Sequence, residues 1–341
     1  MEKGLVKPKP KTKLKDVAKA TGFSENTVSL ALRGSPRLPE STRDLILRAA
    51  EELNYFPNHI ARSLANNATR TIGLVLTDIM NPTLTLAART IERELTKAGY
   101  GMMFAASDTS VESEKRALLR FQSYQVDGIL VYPAHHRKFD HIVAVAEAGT
   151  PVLLLAELRG SGLDTVAIDD MAGAYKVACH LLGLGHRRIA MLDGGFMSGN
   201  DDKRRGIRRA IRQAGLPANT LIVHNAKGTS ATQGYRMMPA VMADPNKPTA
   251  LVASTDALAT GALRWCGENG ISVPGQMAIA GYDNTEVSEF SVLPLTTVNY
   301  AADEISRIGV ARILHRLENK EARLPAETQL IEPELIVRAT T

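Results

Sequence analysis

Apolar positions recur with one period up to about residue 55 and with another from residue 71 onward. In the first segment they stand three and four apart, the spacing of one helix face. Leu14, Val17 and Ala18 share a face in "KLKDVAKAT". Val28, Ala31 and Leu32 share one in "GFSENTVSLALRG", and Leu45, Ile46, Ala49 and Leu53 are read as inward in "PESTRDLILRAAEELN". Gly22 breaks the first helix. Ser24 is a good N-cap for the second with Glu25 in its first turn, and Gly34 stops it. Two short helices joined through a glycine turn, with a third packed behind, predict a helix-turn-helix unit. "YFPNHIARSLANNATRT" follows, with one weak apolar stripe, Ile60, Ala61 and Leu64, too short for a stable helix alone.

From Thr71 the texture becomes strand, helix, strand. "TIGLVLTD", "YGMMFAAS", "VDGILVYPA" and "TPVLLLAE" read as buried strands, then "HRRIAMLDG", "NTLIVHNA", "TALVASTD" and "MAIAGYDN". Amphipathic helices lie between most of them, and the pattern restarts near Asp169. Repeated β-α-β units predict parallel sheets covered on both faces. The expected fold class is an all-α head followed by an α/β core of two doubly wound halves.

The 341 residues suffice for two or three domains, and 44% apolar residues is ordinary for a globular chain. Charge changes the picture once it is divided. Residues 1–70 hold 13 Lys+Arg against 7 Asp+Glu, while the remainder holds 28 against 29. The whole net charge of +5 therefore belongs to the first fifth of the chain, as a nucleic-acid-binding head on a near-neutral body requires. A solvated tail is the competing explanation, because six lysines fall within residues 3–15. No apolar run reaches membrane length, no secretory leader is evident, and Cys179 and Cys266 cannot build a disulfide framework. The expectation is a cytoplasmic, nucleoid-associated protein with no membrane partner.

Enzyme signatures are missing: no phosphate-binding G-x-x-x-x-G-K-[ST], no G-x-G-x-x-G after the first strand, no G-x-S-x-G and no H-E-x-x-H. His135-His136 and Cys179-His180 lack further ligands at metal spacing, so neither metal nor cofactor is implied. Ligands of parallel sheets bind beyond the carboxyl ends of the strands. Here those ends carry Asp78, Asn81, Ser107, Asp108 and Tyr132 in one half, and Asp193, Lys203, Thr255, Asp256, Tyr282, Asp283 and Asn284 in the other. Facing rims of this kind would form a hydrogen-bonding cleft for a small polar molecule; singly, each residue also suits a turn or a cap.

These residues resemble the LacI family of bacterial transcription regulators. "KLKDVAKATGFSENTVSLALRGSPRLPESTRDLILRAAEELNYFPNHIARSLANNATRTIGLVLTDIMNP" carries the resemblance, which continues through "QVDGILVYPA", "VAIDDMAGAYKVACHLLGLGHRRIAML", "VPGQMAIAGYDN", "PLTTVNY" and "IEPELIVRATT". It implies a basic tail (1–11), a helix-turn-helix domain (12–57) and a hinge helix (58–70). It further implies a core whose first subdomain is 71–168 plus 299–324 and whose second is 169–298 plus 325–341, resembling periplasmic sugar-binding proteins. Crossovers are placed at Ile168–Asp170, Val298–Tyr300 and Ala322–Pro325, with one last strand near 328–337 in the second subdomain.

The implied function is a transcriptional regulator, of repressor type, that binds a pseudo-palindromic operator as a homodimer or higher oligomer and is switched by a small sugar-like effector. A ligand-binding protein or metabolic enzyme with an incidental basic N-terminus is the alternative. Candidate DNA contacts are Thr12, Ser24, Glu25, Asn26, Thr27, Ser29, Leu30 and Arg33, with Asn58, Ala61, Ser63 and Leu64 in the hinge. Leu64 matches the leucine that wedges into the minor groove. Candidate effector contacts are Asp78, Asn81, Thr83, Asp108, Tyr132, Lys203, Thr229, Asp256 and Asp283.

Three departures from the family pattern stand out. Thr83-Leu84 replaces two aromatics after Asn81-Pro82, leaving Tyr132 or Phe196 to supply a stacking ring. Lys203 replaces an arginine, keeping the charge but losing the fork, unless Arg204 or Arg205 substitutes. Leu30 stands where a basic or polar residue is usual. It is expected either to touch a thymine methyl or to pack on the neighbouring helix.

Overall fold

A computed structural model describes residues 12–55, 68–195, 199–319 and 324–341. They form two compact units that part after Thr69. The basic tail and the hinge candidates Asn58, Ala61, Ser63 and Leu64 lie outside the described residues, as does Phe196.

The first unit consists of α1 (Leu14–Thr21), α2 (Glu25–Leu32) and α3 (Glu40–Glu52). Gly22, at φ 73°, turns the chain out of α1 in the left-handed conformation that glycine adopts without a Cβ clash. Ser24 then caps α2, its hydroxyl accepting from Thr27 N at 3.1 Å. Val17, Ala18, Val28, Ala31, Ile46 and Ala50 form the core, with Leu14, Phe23, Leu32 and Leu53 packed around it. On α3 the inward stripe is rotated from the expected one. Ile46, Ala50 and Leu53 follow the core, and Leu45 is 50% exposed.

The second unit contains two halves. β1 (Thr71–Leu76), β2 (Gly101–Ala106), β3 (Gly128–Val131), β4 (Val152–Leu154) and β5 (Asp164–Ile168) belong to the first sheet. Between them run α4 (Pro82–Lys97), α5 (Val111–Ser123) and α6 (Asp140–Glu147). The second half follows with α7 (Asp170–Gly183), β6 (Ile189–Asp193), α8 (Asn200–Gln213), β7 (Leu221–Asn225), α9 (Ala231–Met242), β8 (Ala250–Ala253), α10 (Asp256–Glu268) and β9 (Ala278–Ala280). The chain ends with α11 (Glu286–Phe290), β10 (Thr297–Asn299), α12 (Ala302–Glu318), β11 (Thr328–Ile331) and β12 (Glu334–Ile336). The first sheet runs β11-β5-β4-β3-β1-β2 and the second β7-β6-β8-β9, parallel throughout. β10 and β12 form an antiparallel pair joined to the second sheet by single bridges at Ala280–Thr296 and Asp283–Asn299. The inner strands of each sheet are buried on both faces, which explains the unbroken apolar runs such as Ile129–Val131 and Ile189–Leu192.

The expected last strand is in fact two. Thr328–Ile331 pairs in parallel with Thr165–Ile168 and so belongs to the first sheet, whereas Glu334–Ile336 pairs with Thr297–Asn299. The last crossing therefore lies at Glu332–Pro333, not at Ala322–Pro325, and residues 325–331 belong to the first subdomain. α12 packs against α4 in the first core through Ile305, Val310 and Ile313. In the second half, α7 and α8 meet backbone to backbone: a Cβ built on Gly206 would stand 2.2 Å from Met171 O. That approach fixes the start of α8 beside the start of α7, where the site lies.

Candidate functional site

In the first unit, α2 buries Val28 and Ala31 and turns Glu25, Asn26, Ser29, Leu30 and Arg33 to the opposite arc. Glu25, Asn26 and Arg33 are exposed, Ser29 and Leu30 half-buried. The helix start is already organised. Ser24 Oγ and Thr27 Oγ1 lie 2.9 Å apart, and Arg33 Nε donates to Ser29 O at 3.1 Å. Thr12 Oγ1 donates to Leu53 O at 2.8 Å, tying the entry of α1 to the end of α3. Leu30 is absent from the apolar cluster that takes in Leu14, Phe23, Leu32 and Leu53, so among the described residues it packs on no core. An exposed arc offering a carboxylate, an amide, a guanidinium and a leucine has the chemistry of base-edge contact.

In the second unit, a cleft opens where the carboxyl ends of both sheets face each other. Of the sequence candidates, Asn81, Thr83 and Tyr132 line it from the first half, and Lys203, Thr229, Thr255 and Asp283 from the second. Asp78, Asp108 and Asp256 do not. Asp78 Oδ1 accepts from Met80 N at 2.8 Å in the loop before α4, and Asp108 is exposed. Asp256 is 1% exposed and committed elsewhere. Its Oδ2 accepts from Thr285 N at 2.8 Å and its Oδ1 from Thr297 Oγ1 at 2.5 Å, while Thr255 caps α10. Asp193, another rim residue, accepts from Asn200 Nδ2 at 2.8 Å and from Arg204 Nη1 at 2.7 Å.

The floor of the cleft is polar and crowded. Lys203, 7% exposed, donates to Ser254 O at 3.1 Å. Its Nζ stands 3.7 Å from the Tyr282 ring centre and 3.5 Å from Asp170 Oδ1. Arg204 pairs with Asp193 and Asp201, and Arg205 with Asp202, so neither takes the place of Lys203. Burial pushes the Asp170 carboxyl up despite the lysine beside it. Burial, reinforced by the negative charge of Asp256, pushes Asp283 well above the usual carboxylate range. Asp283 also sits at φ 129°, strained for a residue with a Cβ. Tyr132 and Tyr300 supply rings at the wall.

Sequence reasoning missed Asp170, Asn200, Ser254 and Tyr300, which also line the cleft. For Asp170 a signal existed. "DTVAI" is β5, and recognising it would have placed Asp170 just past a strand's carboxyl end. Among the described residues, no group of three His, Cys, Asp or Glu is placed to hold a metal ion, and no helix is long and apolar enough to cross a membrane.

Comparison with known proteins gives the same two-part division. Residues 13–58 match the family described as bacterial regulatory proteins, lacI family, and residues 178–341 the periplasmic binding protein-like domain. The chain is 32% identical to the HTH-type transcriptional regulator DegA of Bacillus subtilis (strain 168), covering 97% of this chain and 98% of that one. It is 31% identical to the HTH-type transcriptional repressor PurR of Pasteurella multocida (strain Pm70), covering 95% and 97%. Among solved structures, the lac repressor dimer bound to operator and the anti-inducer ONPF matches with a TM-score of 0.85 at 25% identity, covering 97% of this chain and 99% of that one. A complex of the transcriptional regulator CelR with cellobiose matches with a TM-score of 0.72 at 25% identity, covering 97% and 100%. These relatives are regulators and not enzymes, which sets aside the metabolic alternative. With a helix-turn-helix head and a two-halved α/β core, the chain is a DNA-binding transcriptional regulator that belongs to the lacI family.

Proposed function

We propose that this regulator binds a pseudo-palindromic operator as a dimer, and that a small, neutral, polyhydroxylated effector in the cleft switches it. The observation that carries the reading is the cleft's shared lining: Asn81, Thr83 and Tyr132 face Lys203, Thr229 and Asp283 across the two halves. A ligand bonded to both rims changes the free energy of closure, and it shifts the regulator only by its differential affinity for the two arrangements. Charge selects the class. Lys203 is the one cationic side chain among the described lining residues, and it is engaged by Asp170 and Ser254, with Asp283 beside it. A phosphate or sugar acid would meet two acidic side chains with no cation to spare, whereas sugar hydroxyls can donate to them or accept from them. The complexes of CelR with cellobiose and of an Enterococcus faecium regulator with ribose support a sugar.

On the DNA side, Glu25, Asn26 and Leu30 read bases, and the hydroxyls of Ser24, Thr27 and Ser29 fix register on phosphates. The hinge candidates, Leu64 foremost, remain part of this proposal. The test is selection of a duplex from a random library by the full chain, followed by titration with neutral sugars and their phosphates. A palindromic site, binding that falls steeply with salt, and a change in affinity with a neutral sugar alone are expected. Binding without palindromy or salt slope refutes the operator reading, and a response to the phosphates alone refutes the effector class.

A further inference from the structure

Beside the cleft, opposite charges from the two halves meet at the first turn of α8. His136 Nε2 lies 2.5 Å and Arg137 Nη2 2.8 Å from Asp201 Oδ2, and Arg159 Nη2 lies 3.0 Å from Asp202 Oδ1. The basic side chains come from the segments that leave β3 and β4, whose nearer residues Pro133 and Ala156 line the cleft. The acids follow Asn200, which lines it from the other side.

We propose that Asp201 and Asp202 form a latch that holds the two halves closed, gripping His136 and Arg137 from one segment and Arg159 from another. Opening the cleft must part all three contacts together, because the acids are adjacent on one helix. Arg204 and Arg205, one turn along α8, pair with the same two acids and hold them in place when the latch parts. Burial raises the Asp201 carboxyl, but hydrogen bonds from Arg204 and Arg137 and the charge of His136 outweigh it, so the acid is held ionised. Arg137 and Arg159 are 69% and 51% exposed, so the latch is tuned by salt, and a network outweighs the small worth of single exposed pairs. The latch needs no effector to act and does not depend on the effector's identity.

The test measures the separation of the halves in the full chain. Spin labels replace Arg120 on α5 and Gln213 on α8, in a Cys179→Ser background that leaves only the buried Cys266. Asp201→Asn/Asp202→Asn and Arg137→Glu/Arg159→Glu are each expected to move the population toward longer distances by about fivefold, the scale of a few exposed pairs acting together. Raising the salt is expected to move the parent chain and leave both variants where they are. Arg137→Glu and Arg159→Glu change exposed side chains, so this variant decides the matter if the α8 variant fails to fold. A distance distribution in Arg137→Glu/Arg159→Glu identical to the parent's overturns the latch.

Discussion

Lys203 and Tyr282 stack beneath the cleft, the ammonium 3.7 Å from the ring centre. The contact sits at the start of α8, next to Asp170, so one lysine serves a ring, a carbonyl and a carboxylate at once. Removing it strands Asp170 in a buried site. Lys203→Met is expected to cost about 3 kcal/mol of core stability, the penalty for breaking a buried pair from one side. Urea unfolding followed by circular dichroism checks it, and a loss below about 1 kcal/mol would show that the pair is not held closed in solution.

Asp283 yields a pH prediction. Its carboxyl is raised by burial and by the Asp256 charge, so the folded protein binds this proton more tightly than the unfolded chain. Stability is then lost as pH climbs from the ordinary carboxylate range toward the folded value, and the loss is complete above it. Asp283→Asn is expected to be more stable than the parent at neutral pH by at least about 1 kcal/mol, with the gain vanishing near about pH 4. Thermal unfolding at both pH values reads this. Stabilisation by any neutral sugar that protects the parent should disappear in the same variant.

Local chemistry was legible in the sequence and long-range pairing was not. The caps at Ser24 and Gly22, the parallel core and the cleft residues Asn81, Tyr132, Lys203, Thr255 and Asp283 follow from spacing and the rule of strand ends, whereas Thr83 and Thr229 come with the family resemblance. Leu45 stands outward because a helix with leucines and isoleucine at three successive positions has two inward faces open to it, and the choice is made by α1 and α2. Residues 328–337 read as one strand because nothing local marks a change of sheet; only the partners Thr165–Ile168 and Thr297–Asn299 do. Asp256 looked like a ligand residue because carboxylates at strand ends are ambiguous until their partners, here Thr285 and Thr297, are placed.

Gly206 is where α7 and α8 touch. A Cβ there would lie 2.2 Å from Met171 O and 2.9 Å from Tyr175 N, both backbone, so neither can swing aside. Gly206→Ala is expected to destabilise the second half by about 2–3 kcal/mol through overpacking, despite alanine's better helix propensity. Equilibrium unfolding measures it, and an unchanged midpoint would mean that the helices part at little cost.

Two substitutions on α2 separate folding from reading. Ser24→Ala removes the cap to Thr27 N and should cost the head about 1 kcal/mol, measured as a lowered unfolding midpoint. Leu30→Ala should leave that midpoint within about 0.5 kcal/mol, because Leu30 packs on no described core, yet change base preference at one operator position. Loss of head stability with unchanged preference would return Leu30 to a packing role.

The passage from β11 to β12 has a mechanical consequence. Two residues, Glu332 and Pro333, carry the chain from the first sheet to the β10–β12 pair of the second half, and Lys176 holds both, donating to Glu332 Oε1 and Pro333 O at 2.8 Å each. A link this short has little slack, and the proline ring freezes one of its torsions. It resists sliding of one half along the other and leaves rotation about the remaining bonds. The halves are thus hinged at a stiff edge, and whatever enters the cleft works as the load on a door, with a lever arm running from Pro333 to the rim.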